Sequence, residues 1–313
     1  MKKIKKKNIL VILGGNSKER EVSLNSGKAC FQAIRKLGYK AKLFDPANFF
    51  LNEIDSSKVD LIFNALHGEF GEDGVAQSFF EYLRIPYTHS GVISSMNAMD
   101  KEVSKKIFLE NKILTPNSFA IEKPNFKKKN LINKLVTKHQ LTFPIVVKPT
   151  NEGSSIGVKI CKNLKSLNLE TKNLFKKYDN LIFEKFIGGQ EVQVAVMNGK
   201  GLGAIELIPS RKFYDYKAKY YKSAKTTHVM PANISKKKHK EVLKIAEKAH
   251  KALECRGVTR SDFKFFKNKF YLLEINTQPG MTDLSLVPEI ARYSGMNFDK
   301  LVEEIILDAS LNK

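Results

Sequence analysis

The sequence predicts an α/β protein of two or three domains whose first domain is a doubly wound parallel sheet. The chain opens in β-loop-α-β order, which sets sequential strands in parallel. After Pro116 a second set of short apolar runs begins, separated by turns rich in Gly and Ser. A length of 313 residues, 42% of them hydrophobic, supplies enough core for that division.

Residues 8–13 form an apolar run ending in Gly14-Gly15. The basic stretch Met1 to Lys7 leads into no cleavage-like motif, so a first strand is expected there and not a signal peptide. A helix follows, with Cys30, Ile34 and Leu37 at helical spacing and Gly38 as its stop. Residues 41–44 and 59–64 supply the second and third strands. Active groups in such a sheet lie beyond the carboxyl ends of the strands. Two loops fall there: Gly14-Gly15-Asn16-Ser17-Lys18-Glu19, and residues 65–74 with His67 and Gly68. The first lacks the G-x-G-x-x-G spacing of a dinucleotide site. Its carboxylate suits an ammonium group better than a pyrophosphate. His67 alone fits a structural hydrogen-bonding role as well as a functional one. At a strand end among glycines and carboxylates it becomes a site candidate.

One helix is expected over residues 95–111, around Met99-Asp100-Lys101, closed by Pro116. Strands at 118–121 and 144–149 flank a helix at 131–139. The turn at 150–158 (Thr-Asn-Glu-Gly-Ser-Ser-Ile-Gly-Val) offers amides and hydroxyls that fold over phosphates, with Lys148 as a point charge. It is not a P-loop, because no G-K-[ST] follows, and a plain hairpin turn explains it equally well. Strands are expected at 180–187, 192–197 and 204–209. A Tyr- and Lys-rich stretch over about 209–227 reads as a closing lid. The next helix, 236–253, carries Val242, Ile245, Ala246, Ala249 and Leu253 on one stripe. A last helix presents Phe298, Leu301, Val302, Ile305 and Ile306.

The functional reading centres on residues 270–281 (Phe-Tyr-Leu-Leu-Glu-Ile-Asn-Thr-Gln-Pro-Gly-Met). Glu274 and Asn276 stand two apart on a strand and so face the same way. A carboxylate beside an amide oxygen suits a hard cation such as Mg²⁺. Residues 258–263 bring Asp262 and, two before it, Arg260. If the two strands pair as a hairpin, Asp262, Glu274 and Asn276 converge with the arginine beside them. Taken alone, such a pair would equally be the solvated face of an antiparallel strand. Ser261 stands where an apolar residue is expected, and Gln278 has no assigned role.

Net charge is +22, yet all but seven of the 54 basic residues are lysines spread along the chain. Nucleic-acid readers favour arginine and interleave aromatics, so this balance reads as compositional bias. The lysine-rich stretches 123–129 and 236–240 read as solvated surface. No apolar run reaches the length of a membrane span. Cys30, Cys161 and Cys255 have no metal spacing and suit free thiols in a reducing cytosol.

In this order the pieces resemble the ATP-grasp fold and, within it, the D-alanine–D-alanine ligase family. The resemblance covers nearly the whole chain and rests on separated motifs. They are residues 13–23 with Glu19, His67-Gly68 to Gly74, Met99-Asp100-Lys101, and Val147-Lys148-Pro149 with Glu152-Gly153-Ser154-Ser155. Further on come Glu184-Lys185 with Glu191, Phe213-Tyr214-Asp215-Tyr216 with Lys219-Tyr220, and Arg260 with Asp262. Glu274-Ile275-Asn276-Thr277, Pro279-Gly280-Met281 and Leu284-Ser285 complete the set.

The resemblance implies three domains: a substrate-binding α/β domain at 1–97 and two α+β domains clasping ATP, at 98–183 and 184–313. It implies ATP-dependent joining of two D-alanines through a D-alanyl phosphate, for peptidoglycan precursor synthesis, in a cytoplasmic homodimer. By the family pattern Asp262, Glu274 and Asn276 hold two Mg²⁺ (or Mn²⁺) ions. Lys101, Lys148 and Lys219 neutralise phosphates, and Ser154 covers them. Glu184, Lys185, Ile187 and Glu191 line the adenosine pocket. Glu19, with His67 near it, holds the first D-alanine's ammonium. Arg260 and the Gly280 N–H form an oxyanion hole, and Ser285 takes the second D-alanine's carboxylate. Tyr220 closes the site by bonding Ser154 and Glu19, and its hydroxyl favours an amide over an ester product. The alternatives are another ATP-grasp carboxylate–amine ligase and a basic nucleic-acid-binding protein. Glu19 and the His67 loop speak against the first, and no reader motif supports the second.

Overall fold

The first apolar run becomes β1 (Asn8–Ile12), whose last four residues are buried. In this computed structural model, which describes residues 7–49, 51–127, 130–209, 226–282 and 284–312, β1 is the centre of a three-stranded sheet. It pairs in parallel with β2 (Lys40–Phe44) and β3 (Leu61–Asn64). The crossover helix α1 (Arg20–Lys36) lays Cys30, Ala33 and Ile34 into the core. It approaches so closely that a Cβ on Gly27 would collide with the Leu13 side chain. Gly38, at φ +89°, ends the helix, its amide donating to the Arg35 carbonyl at 3.0 Å. After β3 come α2 (Val75–Tyr82) and α3 (Val92–Met99).

The single helix expected over 95–111 is two helices. Asp100 takes extended backbone (φ −81°, ψ 108°) between α3 and α4 (Lys101–Glu110). Its carboxylate accepts from the amides of Glu102 and Val103 at 2.8 and 3.1 Å, which caps α4. The apolar period runs through the break unchanged, so periodicity alone missed it.

The second sheet is antiparallel, in the order β4 (Ser118–Glu122), β7 (Asn180–Lys185), β5 (Ile145–Pro149), β6 (Lys159–Cys161). The helices α5 (Leu131–Lys138) and α6 (Leu164–Leu174) share its core. Nothing in the sequence reading anticipated α6, which begins with a capping box between Asn163 and Ser166.

The third sheet runs β10 (Thr227–Val229), β9 (Lys200–Ile208), β8 (Gln190–Met197), β11 (Val258–Phe266), β12 (Lys269–Asn276), all antiparallel. One face is covered by α7 (Lys236–Ala252) through Val242, Ala246 and Ala249. Lys238 of the presumed solvated stretch departs from that expectation. Its ammonium lies over the Phe265 and Phe270 rings and bonds the Asn268 carbonyl at 2.7 Å.

The chain closes with α8 (Leu286–Tyr293), which was not anticipated, and α9 (Phe298–Asp308). Leu301, Val302, Ile305 and Ile306 of α9 are buried in one cluster with β1, β3 and Ala195, Ile205 and Val258 of the third sheet. Each such side chain contributes roughly 1.5–3 kcal/mol by leaving water. The N-terminal sheet and the third sheet therefore share a core, and that fixes the ends of β1 and β3 relative to the β11–β12 hairpin. Gln278 joins them too. Its side chain accepts from Asn64 Nδ2 at 2.8 Å and donates to the Leu66 carbonyl, so a residue with no assigned role is a buried clamp. Among the described residues no helix is long and apolar enough to cross a membrane.

Candidate active site

The hairpin forms as the residue spacing required. Asp262 pairs across β11–β12 with Glu274, and Arg260 with Asn276, so all four side chains point to one face. A register shift follows at Asp262/Phe263, a bulge of the kind that re-aims side chains beside functional sites. Arg260 grips Asp262 in a two-pronged pair, Nε to Oδ1 at 2.7 Å and Nη2 to Oδ2 at 3.0 Å. Asn276 Oδ1 accepts the Gln278 amide at 2.8 Å, which orients the side-chain carbonyl. Ser261, between the two gripping residues, is fully buried in a position suited to an apolar side chain.

This face borders two adjoining cavities. One lies between the second and third sheets and is lined by Lys148, Glu184, Lys185, Ile187, Glu191, Asp262 and Glu274. The other is lined by Glu19, Glu72, Ser154, Arg260, Glu274 and Asn276. Lys101 and Glu274 line both, and their charged atoms are 3.4 Å apart. Asp262, Glu274 and Asn276 thus stand at the junction. Among the described residues no cluster of three or more His, Cys, Asp or Glu forms a metal site. Two carboxylates and an amide oxygen are nonetheless a fitting partial shell for Mg²⁺, which takes few protein ligands and completes its six positions with water and phosphate oxygens.

In the first cavity the charges are paired. Glu184 is buried, with Oε1 2.6 Å from Lys148 Nζ and Oε2 3.0 Å from Lys105 Nζ. Burial opposes the carboxylate's charge, but the two ammonium groups outweigh it and pull the carboxyl down to about 2. For Lys148 burial again opposes the charge, and Glu184 with Glu274 holds the ammonium above its usual range. Glu191 and Lys264 face each other across β8 and β11 with 2.6 Å between charged atoms.

The second cavity is closed by the turn between β5 and β6. Ser154 and Ser155 adopt φ of +50° and +61°, a left-handed backbone that costs L-residues energy and clusters at functional sites. The turn is held by Lys101, whose backbone amide donates to the Thr150 carbonyl at 3.1 Å and whose ammonium donates to the Glu152 carbonyl at 2.6 Å. Ser154 Oγ donates to the Glu19 carboxylate. Glu19 is buried against Gly68 and Gly153, where a Cβ would come within 2.9 and 3.1 Å of its Oε2. Beside the turn, Lys18 pairs with Glu152.

His67 sits behind this lining. Its Nδ1 bonds Glu72 Oε1 at 2.9 Å and its Nε2 bonds Ser26 Oγ at 3.2 Å. Burial pushes the Glu72 carboxyl above its ordinary range, with Glu19's charge adding to that and His67 opposing it. Ser26 also accepts the Met281 amide at 3.1 Å, so His67 is coupled to the Pro-Gly-Met segment. Next to that segment a Cβ on Gly280 would come within 2.8 Å of Ser285 Oγ. Ser285 Oγ also accepts the Thr282 amide at 2.9 Å.

Glu19, Lys101, Lys148, Ser154, Glu184, Lys185, Ile187, Glu191, Arg260, Asp262, Glu274 and Asn276 all line the two cavities, and His67, Gly280 and Ser285 stand behind them. Lys219 and Tyr220 lie outside the described residues. Missed from sequence were Lys105, Glu72, Ser26 and Lys264. A signal existed for Lys105, which stands four residues after Lys101 on the same helical face.

Two family models match the chain: D-ala D-ala ligase C-terminus over residues 108–307 and D-ala D-ala ligase N-terminus over residues 46–90. A D-alanine–D-alanine ligase of Pelagibacter ubique is 56% identical over 308 residues, spanning 98% of this chain and 99% of its own. The chain belongs to the D-alanine–D-alanine ligase family. Another member, from Rickettsia felis, is 42% identical over 97% of this chain and 92% of its own. Among solved structures, a D-alanine–D-alanine ligase of Bacillus anthracis superimposes with a TM-score of 0.85 at 34% identity, covering 96% of this chain and 97% of that one. A crystal structure of the B. anthracis enzyme complexed with ATP matches with a TM-score of 0.83 at 31% identity over the same shares. The ATP-grasp architecture expected from the motifs is the architecture of this ligase family member.

Proposed function

We propose that this chain joins two D-alanines into D-alanyl-D-alanine at the expense of ATP, through a D-alanyl phosphate. The observation that carries the reading is the register of the β11–β12 hairpin. It sets Asp262, Glu274, Asn276 and Arg260 on one face where two cavities meet, one lysine-lined and one built around Glu19.

Phosphoryl transfer needs charge neutralisation and alignment more than covalent help from the protein. In this reading Asp262, Glu274 and Asn276 would hold Mg²⁺ or Mn²⁺, which would supply charge neutralisation for the phosphoryl group. Lys148 and Lys101 meet phosphate oxygens, and Lys185, Ile187 and Glu191 hold the nucleoside. Glu19, fixed by Ser154, orients the ammonium of the first D-alanine so that its carboxylate faces the γ-phosphate. Arg260 and the Gly280 N–H then stabilise the oxyanion formed when the second amine attacks the acyl phosphate. Ser285 takes the second carboxylate. In the same reading Lys219 neutralises phosphate oxygens and Tyr220 keeps from the acyl phosphate the water that would hydrolyse it. We read residues 1–97, 98–183 and 184–313 as the working units, in a cytoplasmic homodimer serving peptidoglycan precursor synthesis.

The test is product analysis after incubation with ATP, Mg²⁺ and either D- or L-alanine. Phosphate release and dipeptide that depend on D-alanine are expected. Equal turnover with L-alanine, or none with either, overturns the assignment.

A further inference from the structure

Lys105 lies on α4 with 2% of its surface exposed, and it borders neither cavity. Its ammonium is 3.0 Å from Glu184 Oε2, donates to Thr115 Oγ1 at 2.8 Å and reaches the Pro116 carbonyl at 3.5 Å. The other oxygen of Glu184 is 2.6 Å from Lys148, which does border the nucleotide cavity. The three charges therefore run from the interior to the cavity wall in the order plus, minus, plus. Glu184 and Lys148 alone would cancel, whereas the triad keeps one net positive charge facing the cavity.

We propose that Lys105 is a positioning residue for the nucleotide's phosphates: it satisfies Glu184 from behind, so that the charge of Lys148 stays available to the ligand. This rests on the ligase reading above. A plainer role is a strut tying α4 to the second sheet. Buried ion pairs make poor struts, since desolvation consumes most of their attraction and an apolar residue of similar volume often does as well. Burial also pushes the Lys105 ammonium below its usual range, Glu184 opposing this and Lys148 adding to it. An arriving polyphosphate would relieve that strain by offsetting the excess positive charge.

The experiment is calorimetric titration of the full-length protein with Mg²⁺ and the non-hydrolysable analogue AMP-PNP. Four forms are compared: wild type, K105Q, K105R and the double variant K105Q/E184Q. Glutamine keeps a neutral donor toward Thr115 and Pro116, and urea unfolding of each form is measured first so that binding is compared among folded proteins. K105Q is expected to weaken binding on the order of tenfold, the effect of one unit charge at about 10 Å with an effective dielectric of about 20. K105R, which retains the charge, stays within about threefold of wild type on the same scale. Against Mg²⁺-tripolyphosphate, which offers no nucleoside to the pocket that Glu184 lines, the double variant, with Lys148 as the triad's one remaining charge, recovers most of the K105Q loss. Unchanged affinity in K105Q, or a double variant as weak as K105Q, overturns the inference while leaving the ligase reading intact. A wild type that does not bind the analogue overturns both.

Discussion

At the cavity between the second and third sheets, Glu184 and its two lysines come from α4 and the second sheet, and their charges are paired within 3.0 Å. In the adjoining cavity, Glu19 and Ser154 stand 135 residues apart on different sheets' loops, and their bond exists only when the N-terminal sheet meets the turn after β5. The first cluster joins α4, β5 and β7 through three buried charges. The second reports on how two units assemble. Substitutions among the three buried charges should therefore be felt in stability as well as in binding, and those at the Glu19–Ser154 bond mainly in catalysis.

The largest effect belongs to the junction of the two. In the proposed mechanism Arg260→Ala removes a donor aimed at developing charge and is expected to lower kcat on the order of 10²–10³-fold, measured at saturating substrates. A loss under tenfold would place the arginine away from the reacting carbonyl. Next in size is Lys148→Ala, which leaves Glu184 with one partner and should cost about 3–5 kcal/mol in urea unfolding. Ser154→Ala, which loses one hydrogen bond to a charged group, should cost about 1.5–3 kcal/mol at most. Equal costs at the two positions would break the contrast between them.

The pH dependence of unfolding sharpens it further, because the two buried carboxyls are shifted in opposite directions. Glu184 is held at about 2, against an ordinary 4.5, since its lysines outweigh burial. Its contribution to stability is complete above 4.5 and is lost as pH falls from there toward 2. Glu184→Gln should flatten that acid limb. Glu72 is shifted upward by burial, with Glu19 adding to the effect, so the stability tied to its protonated form is present below 4.5 and lost as pH rises through the raised value. Glu72→Gln should remove that loss. Denaturation midpoints across pH 2–7 in both variants read the two signs, and identical profiles would refute the assignment. The smallest effect is expected at Lys18, a largely exposed partner of Glu152. Lys18→Met should change unfolding free energy by less than about 1 kcal/mol in the same assay.

Legibility in the sequence followed the range of the interactions. The hairpin was readable because alternation along a strand and one turn decide which side chains share a face, as with Asp262 and Glu274. The break at Asp100 carried its own local signal, a capping aspartate before Lys101-Glu102-Val103, yet the uninterrupted apolar period concealed it. The same holds for α6, whose start depends on polar Asn163 and Ser166 and whose apolar stripe is thin. Spacing from Lys101 marked the face of Lys105, but the buried pairing of Lys105 and of Gln278 could not be read. Whether such side chains are buried depends on Glu184, 79 positions onward, and on Asn64, 214 positions back, and no local pattern encodes either pairing.

Lys101 secures the turn after β5 twice, by its own amide to Thr150 and by its ammonium to Glu152. With Glu19 and Lys18 holding Ser154 and Glu152 from the N-terminal side, the turn is pinned from two sides, and one of its posts belongs to the helix following the Asp100 break. Replacing the residue would loosen the hinge while also deleting a cation, so kinetic defects at this position combine two injuries. Only the arginine substitution, which keeps the cation but alters the reach of the pin, could begin to separate them.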